Sequence, residues 1–139
     1  MFSFYKITAA SLLSAMIVAC GPLPAAKGCE FGSVTRLYLG RDTPAGVLTE
    51  GQWEQFVAET VTPRFPEGFT VLDAHGQWRA ADGSVHKEPT RVLEVVHSDN
   101  PRARARVRAV AVDYQQRFAQ QSVLVSTSPT YQCMDFSGA

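Results

Sequence analysis

The chain has little that would identify a reaction. Lys plus Arg number 13 and Asp plus Glu 13, so no net charge remains. A general nucleic-acid binder carries a basic excess, and this chain has none. No C-x-x-C occurs and no Cys/His cluster of zinc spacing, so no metal site is expected. Ser-His-Asp patterns, G-x-S-x-G, glycine-rich phosphate loops and the dinucleotide fingerprint are all missing, and no cofactor is implied. There is no internal repeat and no low-complexity run. No apolar run reaches the roughly 20 residues that a spanning helix needs. What is present is 139 residues with 45% hydrophobic content, enough for one domain with a real core.

The first 19 residues read as a targeting segment. Lys6 supplies one positive charge, and Ile7 to Val18 follow without any charge. The run ends Ile17-Val18-Ala19-Cys20-Gly21, which resembles a bacterial lipobox. On that reading residues 1–19 are a lipoprotein signal peptide. Cys20 is then lipidated and becomes the new N-terminus, holding the protein to a membrane of the cell envelope. Gly21 rather than Asp after the Cys favours the periplasmic side of the outer membrane, if the cell is Gram-negative. The alternative is an ordinary signal peptide or an uncleaved anchor.

Three cysteines are present, Cys20, Cys29 and Cys133. Lipidation uses the first and leaves a pair, which export delivers to an oxidising space. A Cys29–Cys133 disulfide is therefore expected, with two free thiols as the alternative. Pro22, Pro24 and Gly28 mark residues 20–32 as a short tether, residues 33–127 as the domain, and 128–139 as a tail carrying Cys133.

Within the domain, Val34 to Leu39 reads as a strand ended by Gly40, and Arg41 to Val47 as a loop. Thr49 and Gln52 have the spacing of a capping box, and Leu48 and Trp53 that of a hydrophobic staple. Trp53, Phe56, Val57, Thr60 and Val61 then mark one helical face, with Pro63 ending the helix. Phe69 to Ala80 and Val85 to His97 read as strands joined by a two-residue Asp82-Gly83 turn. Pro89 argues for a bulge or an edge position. Asn100 and Pro101 open a helix whose apolar stripe is Ala103, Val107, Val110, Ala111, Tyr114 and Phe118. Ser122 to Thr127 is a last strand. The order β-α-β-β-α-β predicts a ferredoxin-like sandwich, with two helices on one face of a four-stranded antiparallel sheet. In that topology the outermost strands are neighbours, which brings Cys29 and Cys133 together.

Counting outward from a two-residue turn pairs Leu72 with Leu93, Thr70 with Val95 and Ala74 with Arg91. That register places Trp78 on the helix side. It places Phe69, Val71, Asp73, His75, Gln77 and Arg79 on the second face, beside His86, Glu88, Val92, Glu94 and Val96. Val34, Arg36, Tyr38 and Leu124 join them there. The apolar part of this face predicts a partner, most simply a second copy pairing sheet to sheet. Asp73, His75, Gln77, Arg79, His86, Glu88 and Tyr38 form a candidate ligand-binding rim; the alternative is a solvated hairpin tip. Arg64 is expected to bond the last carbonyls of the first helix, or to clamp a carboxylate. Arg102, Arg104, Arg106 and Arg108 spread around the second helix, as a solvated face or as a contact for anionic head groups.

The stretch Val61-Thr62-Pro63-Arg64-Phe65-Pro66-Glu67-Gly68-Phe69-Thr70-Val71-Leu72-Asp73-Ala74-His75-Gly76-Gln77-Trp78-Arg79 closely resembles the bacterial family called domain of unknown function 3574, with Phe69 where Leu is frequent. Glu88-Pro89-Thr90-Arg91-Val92 and the helix ending at Phe118 resemble it more loosely. The resemblance implies a small secreted protein or lipoprotein. It implies no activity and no catalytic residue. The function expected is that of an envelope-anchored lipoprotein with a small binding or interaction domain. The alternative is a small dimeric α+β-barrel-like enzyme acting on a small organic molecule.

Overall fold

The computed structural model describes residues 28–134; the signal segment and Cys20 lie outside the described residues. Strand β1 is Cys29–Gly40, followed by a small hairpin of β2 (Asp42–Thr43) and β3 (Gly46–Val47). Helix α1 is Glu50–Phe56 and continues as one π-helical turn, Val57–Val61. Strands β4 (Thr70–Arg79) and β5 (Val85–His97), helix α2 (Pro101–Phe118) and strand β6 (Leu124–Cys133) complete the chain. The sheet order is β4-β5-β1-β6, and each pairing is antiparallel. With two helices, this is the α+β ferredoxin-like arrangement.

Both helices start where the sequence places their caps. Thr49 and Gln52 form the full capping box, and Leu48 and Trp53 are buried beside it. Asn100 caps α2 through its side-chain oxygen on the Ala103 N–H, at 2.9 Å. The α2 stripe is buried as expected, Ala103 through Phe118. It packs on Leu37, Leu39, Leu93 and Val95 of the sheet and on Trp53, Phe56 and Val61 of the first helix. Phe56 and Phe118 each meet Tyr114 edge-on, at 5.1 and 4.9 Å between centroids.

The hairpin differs from expectation. Ala80 N–H bonds to Ser84 O, and Gly83 N–H bonds back to Ala80 O, so three residues make the loop, with Gly83 at φ 88°. One extra loop residue moves β4 by one position against β5. Thr70 faces Glu94, Val71 faces Leu93 and Asp73 faces Arg91. Because side chains alternate, this slip turns the whole of β4 over. Odd-numbered residues of all four long strands face the helices, and even-numbered ones face away. Phe69 and Val71 thus pack against the core. Trp78 stands on the open face, contrary to the two-residue count.

Three further expectations are corrected. Pro89 makes neither a bulge nor an edge, since pairing runs unbroken from Val85 to Glu94 in the central strand β5. It sits just past the end of β1, where Arg41 N–H bonds to Pro89 O and Leu48 N–H takes the Arg41 carbonyl that Pro89 cannot serve. The loop from Arg41 to Val47 contains the β2–β3 hairpin. The outer strands run beyond their expected limits: Cys29 to Gly32, read as tether, pair with Thr130 to Cys133, and the rest of that expected tail, Ser128 and Pro129, pairs with Val34 and Ser33. That ladder sets Cys29 opposite Cys133, and the two are joined by a disulfide.

Candidate binding groove on the open sheet face

The corrected register decides which polar groups meet. Of the expected rim, Tyr38, His86 and Glu88 are on the open face, while Asp73, His75, Gln77 and Arg79 point to the helix side. The seven do not form one cluster. Asp73 pairs with Arg91, which also reaches Glu50 of α1 at 2.6 Å and lies over the Trp53 ring. That set joins β4, β5 and α1. Arg79 bonds the Gly83 carbonyl at 2.8 Å, within its own hairpin. His75 stands opposite Pro89, and Gln77 opposite Lys87.

A groove opens on the even-numbered face near the ends of β1 and β4. It holds about 200 Å³ and is walled by Tyr38, Trp78 and Leu124, with Glu88 and Thr90 at its floor and Gln120 at its rim. Two glycines make the space. A Cβ on Gly40 would lie 2.4 Å from a Glu88 carboxylate oxygen, and one on Gly76 would lie 2.7 Å from the Thr90 hydroxyl. The Trp78 indole N–H donates to Glu88 Oε1 at 2.7 Å, and Asp42 N–H donates to Oε2 at 3.2 Å. His86 stacks on Trp78 at 4.8 Å and bonds Ser84 Oγ, fixing the indole plane. Glu88 therefore has two neutral donors, and no Lys or Arg among the described residues pairs with it. A carboxylate has about four acceptor positions, so it retains capacity toward the groove.

Sequence reasoning found Tyr38, Glu88 and His86, but not Trp78, Thr90, Leu124 as a wall, or the two glycines. The signal was present: Gly76 and Trp78 share β4 parity with Leu72, and only the hairpin count assigned them to the wrong side. His97 was also missed as a polar centre. It is buried, its Nδ1–H donates to the Ser98 carbonyl at 3.0 Å, and its Nε2 lies 2.9 Å from the Thr35 hydroxyl, which meets Thr127 at 2.8 Å. Arg64 bonds the Thr60 carbonyl at 2.8 Å, as expected of a residue closing the first helix, and also pairs with Asp113 of α2 at 2.7 Å.

Among the described residues, no three His, Cys, Asp or Glu side chains gather as a metal site, and no helix is long and apolar enough to cross a membrane. The family of proteins of unknown function DUF3574 matches residues 34–136. No curated protein matches the chain. Among solved structures, a phage SAM lyase in complex with S-methyl-5′-thioadenosine aligns with TM-score 0.57 and 14% identity, over 76% of this chain and 92% of that one. The same lyase in its apo state gives 0.53 and 16%, over the same shares. CutA from Synechococcus elongatus PCC7942 gives 0.48 and 9%, over 73% of this chain and 79% of that one. At these identities the likeness is one of fold alone.

Proposed function

We propose that this chain, which belongs to the DUF3574 family, is a lipid-anchored protein of the cell envelope whose domain binds a small organic molecule without transforming it. The lipobox-like run ending at Cys20 supports the anchor. The Cys29–Cys133 disulfide suits an oxidising compartment. One observation carries the binding function: a partly buried carboxylate, Glu88, is held by Trp78 at the floor of an aromatic-walled groove and is paired with no cation among the described residues. Such a site suits a ligand with an apolar body and a cationic or N–H-bearing head, such as a small amine.

The exposed Leu72, Val96 and Leu124 on the open face support pairing with a second copy through that face. A light-scattering mass of one protomer at micromolar concentration rejects the pairing. For the ligand, a panel of small amines and nucleosides is titrated into the exported protein by calorimetry. Glu88→Gln is expected to weaken the best compound at least tenfold, and Trp78→Ala to weaken it further. A compound bound equally by parent and both variants places the site elsewhere.

A second reading, a small dimeric enzyme, draws on the likeness to the phage SAM lyase, whose structure carries S-methyl-5′-thioadenosine. The space between sheet and helices is filled by Leu37, Leu39, Phe56, Leu93 and Tyr114, so such chemistry would also have to use the open face. Of the groove's lining residues, Tyr38 and Glu88 carry the phenol and carboxyl groups that proton transfer would need. Recovering each panel compound unchanged after incubation favours binding; a new product favours the enzyme.

A further inference from the structure

Beyond His97, strand β5 ends, and from Cys29 to Gly32 strand β1 pairs with β6 alone. Residues 29–32 and 130–133 thus form a two-stranded ribbon projecting past the sheet, clasped at its tip by the disulfide. Its two faces differ. On the helix side Phe31 and Tyr131 stand opposite each other, with rings 4.9 Å apart, and both are exposed, Phe31 at 68%. Met134 comes next at 65%. On the other side Gln132 donates to Glu30 at 2.7 Å.

We infer that the apolar face of this ribbon seats in the head-group region of the membrane to which the protein is anchored. The inference rests on the lipid-anchor reading. Cys29 follows Cys20 by nine positions, and a chain of that length spans at most about 32 Å. The ribbon tip is where that tether enters the fold, so a lipid on Cys20 holds these rings near the bilayer. Aromatic side chains favour the membrane–water boundary. Helix α2 begins at the same end of the sheet, three residues after β5, and Arg102 in its first turn is free of ion pairs among the described residues. Arginines beside an apolar edge suit anionic lipid. A second copy has no comparable reason to sit at this tip.

The test uses the exported full-length protein in vesicles of phosphatidylethanolamine and phosphatidylglycerol, with and without bromine on the acyl chains. Phe31→Trp places a reporter on the ribbon. Val47→Trp places one at the opposite end, on the exposed β3. Mass spectrometry of the N-terminal peptide is read on the same samples. Acylated protein with Phe31→Trp emission quenched at least twofold by brominated lipid, and Val47→Trp emission like the parent, supports the seating. Acylated protein with neither reporter quenched, or with both quenched alike, overturns the seating and leaves the anchor standing. Protein without an acyl chain overturns the anchor and the seating together.

Discussion

The Trp78 indole donates to the Glu88 carboxylate across the β4–β5 ladder, and that carboxylate lies over the bare Cα of Gly40. Three strands thus fix one acidic group, because the central one, β5, supplies it and its two neighbours supply a donor and a gap. Gly40→Ala puts a methyl group 2.4–2.5 Å from the carboxylate atoms, so the Glu88 head must swing away. The expected result is loss of ligand affinity matching that of Glu88→Gln. Stability should fall by about 1.5–3 kcal/mol, the worth of a hydrogen bond to a charged group. Calorimetry and denaturant unfolding of the same variant check both parts.

Gly83 sets the register on which that site depends. Its φ of 88° is a left-handed conformation that other residues resist. Gly83→Val is expected to cost about 1–2 kcal/mol, while Gly83→Asn should cost distinctly less, because Asn tolerates this region. Urea midpoints at unchanged slope separate the two. Equal losses for both would show that the backbone conformation is not what glycine supplies here.

The disulfide closes most of the described chain, since its partners are 104 residues apart. In the chain-entropy picture a loop of that size contributes up to about 4.7 kcal/mol, and removal of a native disulfide typically costs about 2–5 kcal/mol. Cys29→Ser with Cys133→Ser should lower the melting temperature and fray the ribbon before the rest. Hydrogen exchange at Phe31 and Tyr131 is expected to quicken while Leu37 and Leu93 stay protected.

Tyr114 is buried and donates its hydroxyl to the Gly40 carbonyl at 2.8 Å. Burial is the main cause that raises its phenol well above the ordinary 10.0. The folded protein keeps a proton that the unfolded chain releases near that pH. This contribution to stability is therefore complete below about pH 10 and declines as pH rises beyond it. Tyr114→Phe is expected to cost about 1–2 kcal/mol at neutral pH. Its stability should also fall less steeply than the parent's between about pH 10 and 12, as read by denaturant unfolding along a pH series.

The sequence by itself determined the local choices. Thr49, Gln52, Asn100 and Pro101 fix helix starts through bonds to their own first turns, and the α2 stripe from Ala103 to Phe118 comes from helical period. The Pro-Arg-Phe-Pro stretch and the strand after it carried the family likeness. The pairing of Cys29 with Cys133 came from cysteine count, as the pair left once Cys20 is assigned to lipid, and the strand order agreed with it independently. Tertiary structure alone decided which face each β4 residue takes. A two-residue and a three-residue loop around Asp82-Gly83 are both good hairpins locally, yet they differ by one position of pairing. The core broke that tie by accepting Phe69 and Val71 opposite the helices, which sent Trp78 outward to Glu88 and Asp73 inward to Arg91. The exposed ribbon was likewise beyond local reading. Phe31 and Tyr131 are 100 positions apart, and nothing in either segment alone signals the other; only the ladder between β1 and β6 makes them neighbours.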